Sequence, residues 1–298
     1  MYDKSDPRAG LPTSAAVATD FAGAEYAKFY DLPPQKQSAQ LKAWIARGQN
    51  FVTVFIEAEE GATFARESQP DEFVVLVPDP TGAAQVQWDG KTSELPGASV
   101  TFVPNGASEI TFTRPGRYLL LFTSQSGDLA AASANAASYS SPHPNIPAWQ
   151  PWPEPVDGWK VRTYSLDVPD EPGRFGRIWR CSTFMVNFLP AQMGPRDVTK
   201  LSPHSHDSFE QGSFALDGAF THHIRWPWTP NMHAWRPDDH ELCAAPSIAV
   251  IPPPAIHTSR GMDAKVNQLV DIFAPPRVDF SLKDGWVLNA ADYPMPKT

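Results

Sequence analysis

Short apolar runs that alternate with turn residues dominate the pattern of this chain. In its first half, six such runs follow one another and are divided by Asp-Gly, Asn-Gly and Pro-Gly turns. The runs cover residues 51–57, 73–77, 85–88, 99–103, 109–112 and 118–123. Strands this short and this closely spaced are typical of a small sandwich or barrel. The pattern therefore predicts an all-β fold.

One segment near the start of the chain predicts a helix instead. Residues 37–47 contain good helix formers, and Gly48 stands where a helix C-cap belongs. In a helix, Leu41, Trp44 and Ile45 would share one face. We expect that face to pack on a barrel and assign no chemistry to it.

The distribution of these runs divides the chain into five parts. Residues 126–159 are rich first in Ala and Ser and then in Pro, which predicts a linker. Apolar strand signal returns after residue 160 and continues to residue 273. The predicted parts are an N-terminal arm with the short helix (1–50), a first barrel (51–125), the linker (126–159), a second barrel (160–281) and a C-terminal tail (282–298).

Composition and charge exclude several classes of partner. The chain has 33 acidic and 24 basic residues among 298, a net charge of −9 that disfavours nucleic acid. Cys181 and Cys243 have no Cys-x-x-Cys spacing, so neither a disulfide framework nor a zinc ribbon is indicated. The start of the chain shows no basic-then-apolar signal, and no apolar stretch reaches 18 residues. We therefore expect a cytoplasmic protein that binds no membrane.

The candidate chemistry is concentrated around two histidines. His204 and His206 are two residues apart, so on a strand their imidazoles point the same way. A bend after His206 would bring the amide oxygen of Gln211 to the same point. Leu216-Asp217-Gly218-Ala219 then predicts a tight hairpin.

A third histidine completes the candidate metal centre. His257 follows the apolar run 248–251 and a turn of three prolines. Imidazole is the commonest ligand for late first-row metals. The predicted ligands are His204, His206, Gln211 and His257, with Glu210 as an alternative to Gln211. Such a set suits Fe, Mn, Ni or Zn.

This spacing resembles the two sequence motifs of the cupin superfamily. The resemblance lies in His-x-His, four residues, Gln211, six residues and Gly218, followed by a later histidine after a proline turn. It covers residues 194–277, although Pro254 stands where a glycine is usual. It implies a jelly-roll barrel, or double-stranded β-helix, built around a divalent metal.

The first half repeats the order of these motifs without their histidines. Arg66-Glu67-Ser68, Glu72 and Glu109 stand where the ligands would stand. The resemblance therefore implies a bicupin whose first barrel holds no metal. Arg66 and Glu109 could pair across that vacant position, or both could lie on the surface.

An amide ligand leaves the full 2+ charge on the metal, and it leaves the centre without a base of its own. Asp271 is a candidate base, and Arg277 could hold a substrate carboxylate through two hydrogen bonds. Alternatively, these two residues form a structural ion pair with each other.

The run Asp271-x-Phe273-x-Pro-Pro-Arg277, taken with the His and Gln motif, resembles the KdgF-type cupins, single-barrel proteins that help open unsaturated uronate sugars. This resemblance implies that Asp271 transfers a proton, that Phe273 forms a wall of the pocket and that Arg277 anchors a carboxylate.

Three functions follow from these observations. The first is a metal-dependent enzyme that isomerises or ring-opens a small oxygenated carboxylate or sugar acid. The second is a mononuclear non-haem Fe(II) dioxygenase that acts on a small aromatic or diketone substrate, and the third is a non-catalytic bicupin that binds a small ligand.

A Trp- and His-rich insertion at 227–246 predicts either a lid or a subunit-contact loop. Expected partners are a small-molecule substrate and a second copy in a homodimer, because exposed sheet edges need covering.

Overall fold

The computed structural model describes residues 22–296, and most of this part of the chain lies in strands and their turns. The first strands are β1 (Glu25–Lys28), β2 (Lys36–Gln37), β3 (Leu41–Arg47), β4 (Phe51–Ala58), β5 (Thr63–Gln69), β6 (Phe73–Val77), β7 (Ala83–Trp88), β8 (Lys91–Pro96), β9 (Ser99–Val103), β10 (Gly106–Phe112) and β11 (Gly116–Thr123). The later strands are β12 (Arg162–Ser165), β13 (Ile178–Arg180), β14 (Met185–Phe188), β15 (Gln192–Met193), β16 (Glu210–Asp217), β17 (Ala219–Arg225), β18 (Asp239–Ala244), β19 (Ser247–Ile251), β20 (Ile256–Gly261) and β21 (Val266–Ala274). Two short helices, α1 (Gly127–Ala132) and α2 (Val278–Ser281), complete the regular structure together with three 3₁₀ turns.

The strands form two similar halves. In the first half, the sheet β12-β9-β6-β11-β4-β3-β2 covers the smaller sheet β5-β10-β7-β8. In the second half, the sheet β1-β19-β16-β21-β14-β13, with β15 added to β21, covers the smaller sheet β18-β17-β20. The all-β prediction and the division into two jelly-roll halves are confirmed.

The two halves exchange strands across the predicted boundaries. β1, from the N-terminal arm, pairs with β19 of the second half. β12, which follows the linker, pairs with β9 of the first half. Each exchanged strand covers an edge that would otherwise expose unpaired backbone groups, so the halves are interlocked.

The segment predicted as a helix is the strand β3, and that prediction is wrong. β3 pairs with β4 along its whole length, from Leu41 opposite Ala58 to Arg47 opposite Val52. Ala43 and Ile45 are fully buried on one face, and Trp44 lies on the other beside Phe55 at 5.9 Å between ring centroids. Burial on a paired sheet outweighs the intrinsic helix preference of these residues.

The predicted hairpin at Gly218 is also wrong, because the chain changes sheets there. β16 pairs with β19 and β21, whereas β17 pairs with β18 and β20. Gly218 has a φ of 79°, and a Cβ at this position would lie 2.2 Å from the carbonyl oxygen of Val266. The Asp-Gly pair therefore makes a corner between two facing sheets.

The interiors of the two halves differ. A single apolar cluster, including Val54, Val75 and Val86, joins both sheets of the first half. The interior of the second half contains three small apolar clusters, around Ile224, Phe273 and Phe220. The larger sheets of the two halves pack on each other through a core that contains Phe55, Phe214 and Ile272. The first half is thus filled with apolar side chains, and the second leaves room for polar ones.

In the first half, the positions that match the ligand motif carry structural contacts. Arg66 is buried, forms an ion pair with Asp128 at 2.5 Å and donates to Gln69 at 2.9 Å. Glu109 is exposed, because it faces away from Arg66 in β10. The pairing considered between Arg66 and Glu109 is therefore not formed.

Within residues 22–296, no helix is long and apolar enough to cross a membrane.

Candidate metal centre

The four predicted ligands are neighbours in the fold. His204 and His257 face each other across a two-residue backbone bridge, with N–O distances of 3.1 and 2.8 Å. The His257 ring centroid lies 4.5 Å from that of His204 and 5.1 Å from that of His206. Gln211, on the neighbouring β16, places its Oε1 3.2 Å from His257 Nε2.

Two adjacent residues of β16 have opposite environments. Gln211 faces the histidines, whereas Glu210 points to the first half, where it accepts hydrogen bonds from the backbone N–H groups of Gln49 and Asn50 at 3.0 Å each. Neighbouring side chains of a strand point to opposite faces. The geometry therefore favours Gln211 over Glu210 as the oxygen ligand.

The orientation of Gln211 is fixed by its amide nitrogen. Nε2 donates to Ser213 Oγ at 3.0 Å and to the Asp271 carboxylate at 3.4 Å. The one hydroxyl proton of Ser213 is donated to Asp271, so Ser213 Oγ accepts the hydrogen bond from the amide nitrogen of Gln211. The amide nitrogen therefore faces Asp271, and Oε1 faces His257.

As a neutral imidazole, His257 cannot donate a hydrogen bond to both of the oxygen atoms that its ring nitrogens face. Its Nδ1 lies 3.1 Å from the carbonyl oxygen of Ala255, and its Nε2 faces Gln211 Oε1. Burial lowers the pKa of His257 to about 4, so near pH 7 the ring carries one proton for two acceptors. When Nδ1–H donates to Ala255, the lone pairs of Nε2 and Oε1 face each other. A cation bound by both atoms would remove that repulsion.

The other two histidines are also suited to bind a metal in their neutral form. His204 Nδ1 lies 2.9 Å from the carbonyl oxygen of Ser202, which leaves its Nε2 available. His206 is buried against Phe209, with 4.0 Å between ring centroids, and neither of its ring nitrogens has a hydrogen-bond partner within the described chain. Burial, followed by the charge of His257, lowers the pKa of His206 to about 3.

Between residues 22 and 296, no three His, Cys, Asp or Glu side chains lie close enough together to hold a metal ion. The chemistry of the donor set nevertheless fits a divalent cation, because neutral imidazoles and an amide oxygen suit Mn, Fe, Ni or Zn. The metal centre remains a prediction from the sequence, and the orientations of His257 and Gln211 are compatible with it.

Asp271 lies beside this cluster. Its Oδ1 accepts a hydrogen bond from Ser213 Oγ at 2.7 Å, and burial raises the pKa of its carboxyl group. Asp271 contacts Gln211 and lines the cavity described below. This position beside the cluster and the cavity is compatible with the predicted role of Asp271 as the base.

Arg277 and Phe273 do not line that cavity. The Arg277 guanidinium lies over the ring of Phe280 at 3.4 Å and pairs with Asp279 at 2.6 Å. Phe273 is buried against Phe209, with 5.4 Å between ring centroids. The ion pair considered between Asp271 and Arg277 is not formed, because Arg277 has Asp279 as its partner.

A cavity of about 250 Å³ adjoins the cluster. Its polar lining includes His204, Gln211, His257 and Asp271, and its apolar wall consists of Phe175, Leu189, Pro190, Phe220 and Leu269. The insertion at 227–246 contributes no residue to this lining, so the cavity gives no support to the lid prediction.

Two polar residues of this region were not predicted from the sequence. Arg196 lines the cavity from the loop before His204. His222, on β17, is 1% exposed, bonds to Ser259 Oγ through Nδ1 at 2.8 Å and has a buried Nε2 without a partner in the described chain. The inward face of Phe220, His222 and Ile224 is visible as an alternating pattern, whereas nothing in the sequence around Arg196 signals its position.

No protein-family model and no curated protein matches this chain. Among solved structures, AerE from Microcystis aeruginosa matches with a TM-score of 0.54 and 11% identity, over 86% of this chain and 99% of that one. An oxalate decarboxylase from Lactobacillus farciminis, solved as a formate complex, matches with a TM-score of 0.57 and 14% identity, over 87% of this chain and 89% of that one. A variant of the Bacillus subtilis oxalate decarboxylase matches with a TM-score of 0.57 and 12% identity, over 87% of this chain and 78% of that one. At such identities the likeness concerns the fold alone: the chain has the two-barrel architecture of the bicupins.

Proposed function

We propose that the chain is a metal-dependent enzyme that carries out proton-transfer chemistry on a small oxygenated carboxylate in its second half. One observation carries the proposal. His257 Nε2 and Gln211 Oε1, two acceptor atoms, face each other at 3.2 Å beside a buried His206 whose ring nitrogens are unpartnered in the described chain. Buried polar atoms normally have partners, and a cation bound by these atoms would supply the partner that is missing.

His204, His206, His257 and Gln211 would hold the cation. When bound, a divalent metal supplies Lewis acidity, which polarises a carbonyl or hydroxyl group of the substrate. The ligands are neutral, so none of them cancels the charge of the ion. The backbone bridge between His204 and His257 and the hydrogen bonds to Ser202 and Ala255 orient two of the rings before any metal binds.

Asp271 would move the proton. Its Oδ1 is held by Ser213 and Gln211, and no described donor contacts its Oδ2. That oxygen is therefore available to a C–H or O–H group of a molecule in the cavity. The KdgF-type resemblance assigned the same role to Asp271, but the positions of Phe273 and Arg277 do not support the other two roles that it implied.

The cavity suits a small substrate. Its volume of about 250 Å³ lies below the roughly 300–1,000 Å³ of sites for drug-sized ligands. Similar structures include the oxalate decarboxylase solved with formate and the Bacillus subtilis oxalate decarboxylase, which has Mn(II) centres. These proteins suggest Mn(II) as the first metal to test and small carboxylates as the first substrates.

The test begins with metal content. We expect the protein loaded with Mn(II), Fe(II), Ni(II) or Zn(II) to keep about one ion per chain, and H206A and H257A to keep less than about a tenth of that. H233A is the matched control, because His233 is exposed in the insertion. Equal metal content in all four proteins would refute the proposal.

The apolar wall of the cavity favours the dioxygenase as the second candidate, because it would suit an aromatic or diketone substrate. An oxygen electrode separates the two functions. Oxygen uptake by the Fe(II)-loaded protein, coupled to loss of substrate, would show that the protein is a dioxygenase and would refute the proton-transfer function. Turnover without oxygen uptake would support proton transfer.

A further inference from the structure

Arg196 is the one arginine or lysine side chain among the described residues that line the cavity. It is half-buried and lies at the end where Ser202 and His204 are exposed, so it stands at the mouth. The positive charge of the Arg196 guanidinium therefore lies where a ligand would enter the cavity.

The Arg196 guanidinium is held by neutral groups. Nη1 donates to the carbonyl oxygen of Ser259 at 2.9 Å, and Nη2 donates to Ser202 Oγ at 3.0 Å and to the carbonyl oxygen of Lys200 at 3.3 Å. These bonds use three of its five N–H groups. The Nε–H and one Nη1–H have no acceptor within residues 22–296, and no described carboxylate pairs with Arg196.

Five other arginines of the described chain have acidic partners. Ion pairs join Arg66 to Asp128, Arg117 to Asp79 and Asp217, Arg174 to Glu171, Arg225 to Asp238, and Arg277 to Asp279. Arg196 combines a fixed guanidinium with unused donors on a cavity wall, whereas Arg277, the residue expected to anchor a carboxylate, is already neutralised by Asp279.

Arg196 is also tied to the histidine cluster. Ser202 accepts from Arg196 through its hydroxyl, and its carbonyl oxygen contacts His204 Nδ1 at 2.9 Å. Ser259, the other anchor, follows His257 by two residues on β20. The guanidinium and the two imidazoles are therefore held by the same two short segments.

We propose that Arg196 binds the carboxylate of the substrate and so selects small carboxylates at the mouth of the cavity. The inference deepens the proposed function: one end of the ligand pairs with Arg196 while its reacting oxygen lies toward His204 and His257. Guanidinium and carboxylate groups form charge-assisted hydrogen bonds, which are stronger than those between neutral groups.

Calorimetric titration with three carboxylates and their neutral counterparts tests the inference. The pairs are oxalate and oxamide, pyruvate and pyruvamide, and galacturonate and galactose, each added to the metal-free and to the Mn(II)-loaded protein. We expect R196Q to bind the preferred carboxylate about 10- to 100-fold more weakly than the wild type, and its neutral counterpart equally well. R196K, which keeps the charge but loses the planar fork, should lie between the two.

R225Q is the control, since Arg225 forms an exposed ion pair with Asp238, and it should bind all probes as the wild type does. Unchanged carboxylate affinity in R196Q, or a wild type that binds none of the carboxylates in either form, would overturn the inference. Metal content, measured on every variant, separates this outcome from failure of the proposed function. Loss of Arg196 should leave metal content unchanged, whereas a wild type that binds carboxylates through Arg196 but holds no metal would refute only the metal-dependent enzyme.

Discussion

At the scale of single residues, two neighbours on β16 have different roles, because successive side chains of a strand point to opposite faces of the sheet. Glu210 and Gln211 are adjacent in the sequence, and both carry oxygens that could bind a metal. Glu210 is fully buried between the halves, where two backbone N–H groups donate to it. Gln211 faces the cavity and the histidines. Counting residues from the His-x-His motif favoured Gln211, and the burial of Glu210 gives the physical reason.

Substitution of the two residues should therefore have opposite effects. Q211A removes a proposed ligand, so it should lower metal affinity at least about tenfold and leave the free energy of unfolding of the metal-free protein nearly unchanged. E210Q places an amide N–H against one of two backbone donors, so it should lower that free energy by about 1–3 kcal/mol and leave metal affinity unchanged. Metal titration and urea unfolding of both variants provide the measurements. Loss of metal affinity in E210Q with retention in Q211A would contradict the assignment.

At the scale of elements, pairing between strands decides what local propensity leaves open. Residues 41–47 contain alanine, leucine, lysine and arginine, all good helix formers. Yet Ala43 and Ile45 alternate with Lys42 and Trp44, and this period of two matches a strand. β4 provides the partner for pairing along the whole segment, which no local signal could reveal.

Because Ile45 is fully buried in β3, I45A should lower the free energy of unfolding by about 2–5 kcal/mol. K42A, at an exposed position of the same strand, should change it by less than about 0.5 kcal/mol. Urea denaturation followed by tryptophan fluorescence measures both. A cost for K42A equal to that for I45A would mean that β3 is not buried in this register.

At the scale of the whole molecule, buried carboxylates join the two halves. Glu210 reaches from the second half into the turn before β4. Glu72 reaches from the first half to Ser182, with 2.9 Å to its backbone nitrogen and 2.8 Å to its Oγ, and accepts from Tyr293 Oη at 2.7 Å. Glu210 is the first residue of β16, and Glu72 immediately precedes β6. The two carboxylates therefore occupy similar places in the two halves.

These contacts make stability depend on pH. Burial raises the pKa of Glu72 above its ordinary value of 4.5, so the folded chain binds this proton more tightly than the unfolded chain does. The contribution of Glu72 is therefore fully present below about pH 4.5 and is lost as the pH rises through the raised pKa. The loss is about 1.4 kcal/mol for each pH unit that separates the folded-state pKa from the unfolded-state pKa.

We expect the unfolding free energy of the wild type to fall as the pH rises above 4.5, relative to that of E72Q, which lacks this titration. Urea unfolding of both proteins across this range measures the difference. A difference that stays constant, or that grows with pH in favour of the wild type, would show that Glu72 does not titrate in this way.

The features that depend on local spacing could be predicted from the order of the residues. The period of two in its apolar runs fixed the all-β class, and the His-x-His pair with Gln211 and His257 identified residues that the fold brings together, because such patterns fix which side of a strand each side chain occupies. The remaining features could be seen only in the folded chain. The exchange of β1 and β12, the change of sheets at Gly218 and the place of Arg196 at the cavity mouth depend on contacts between residues that are distant along the chain. Neither propensity nor motif spacing carries information on such contacts, and for that reason the sequence favoured Arg277 where the cavity contains Arg196.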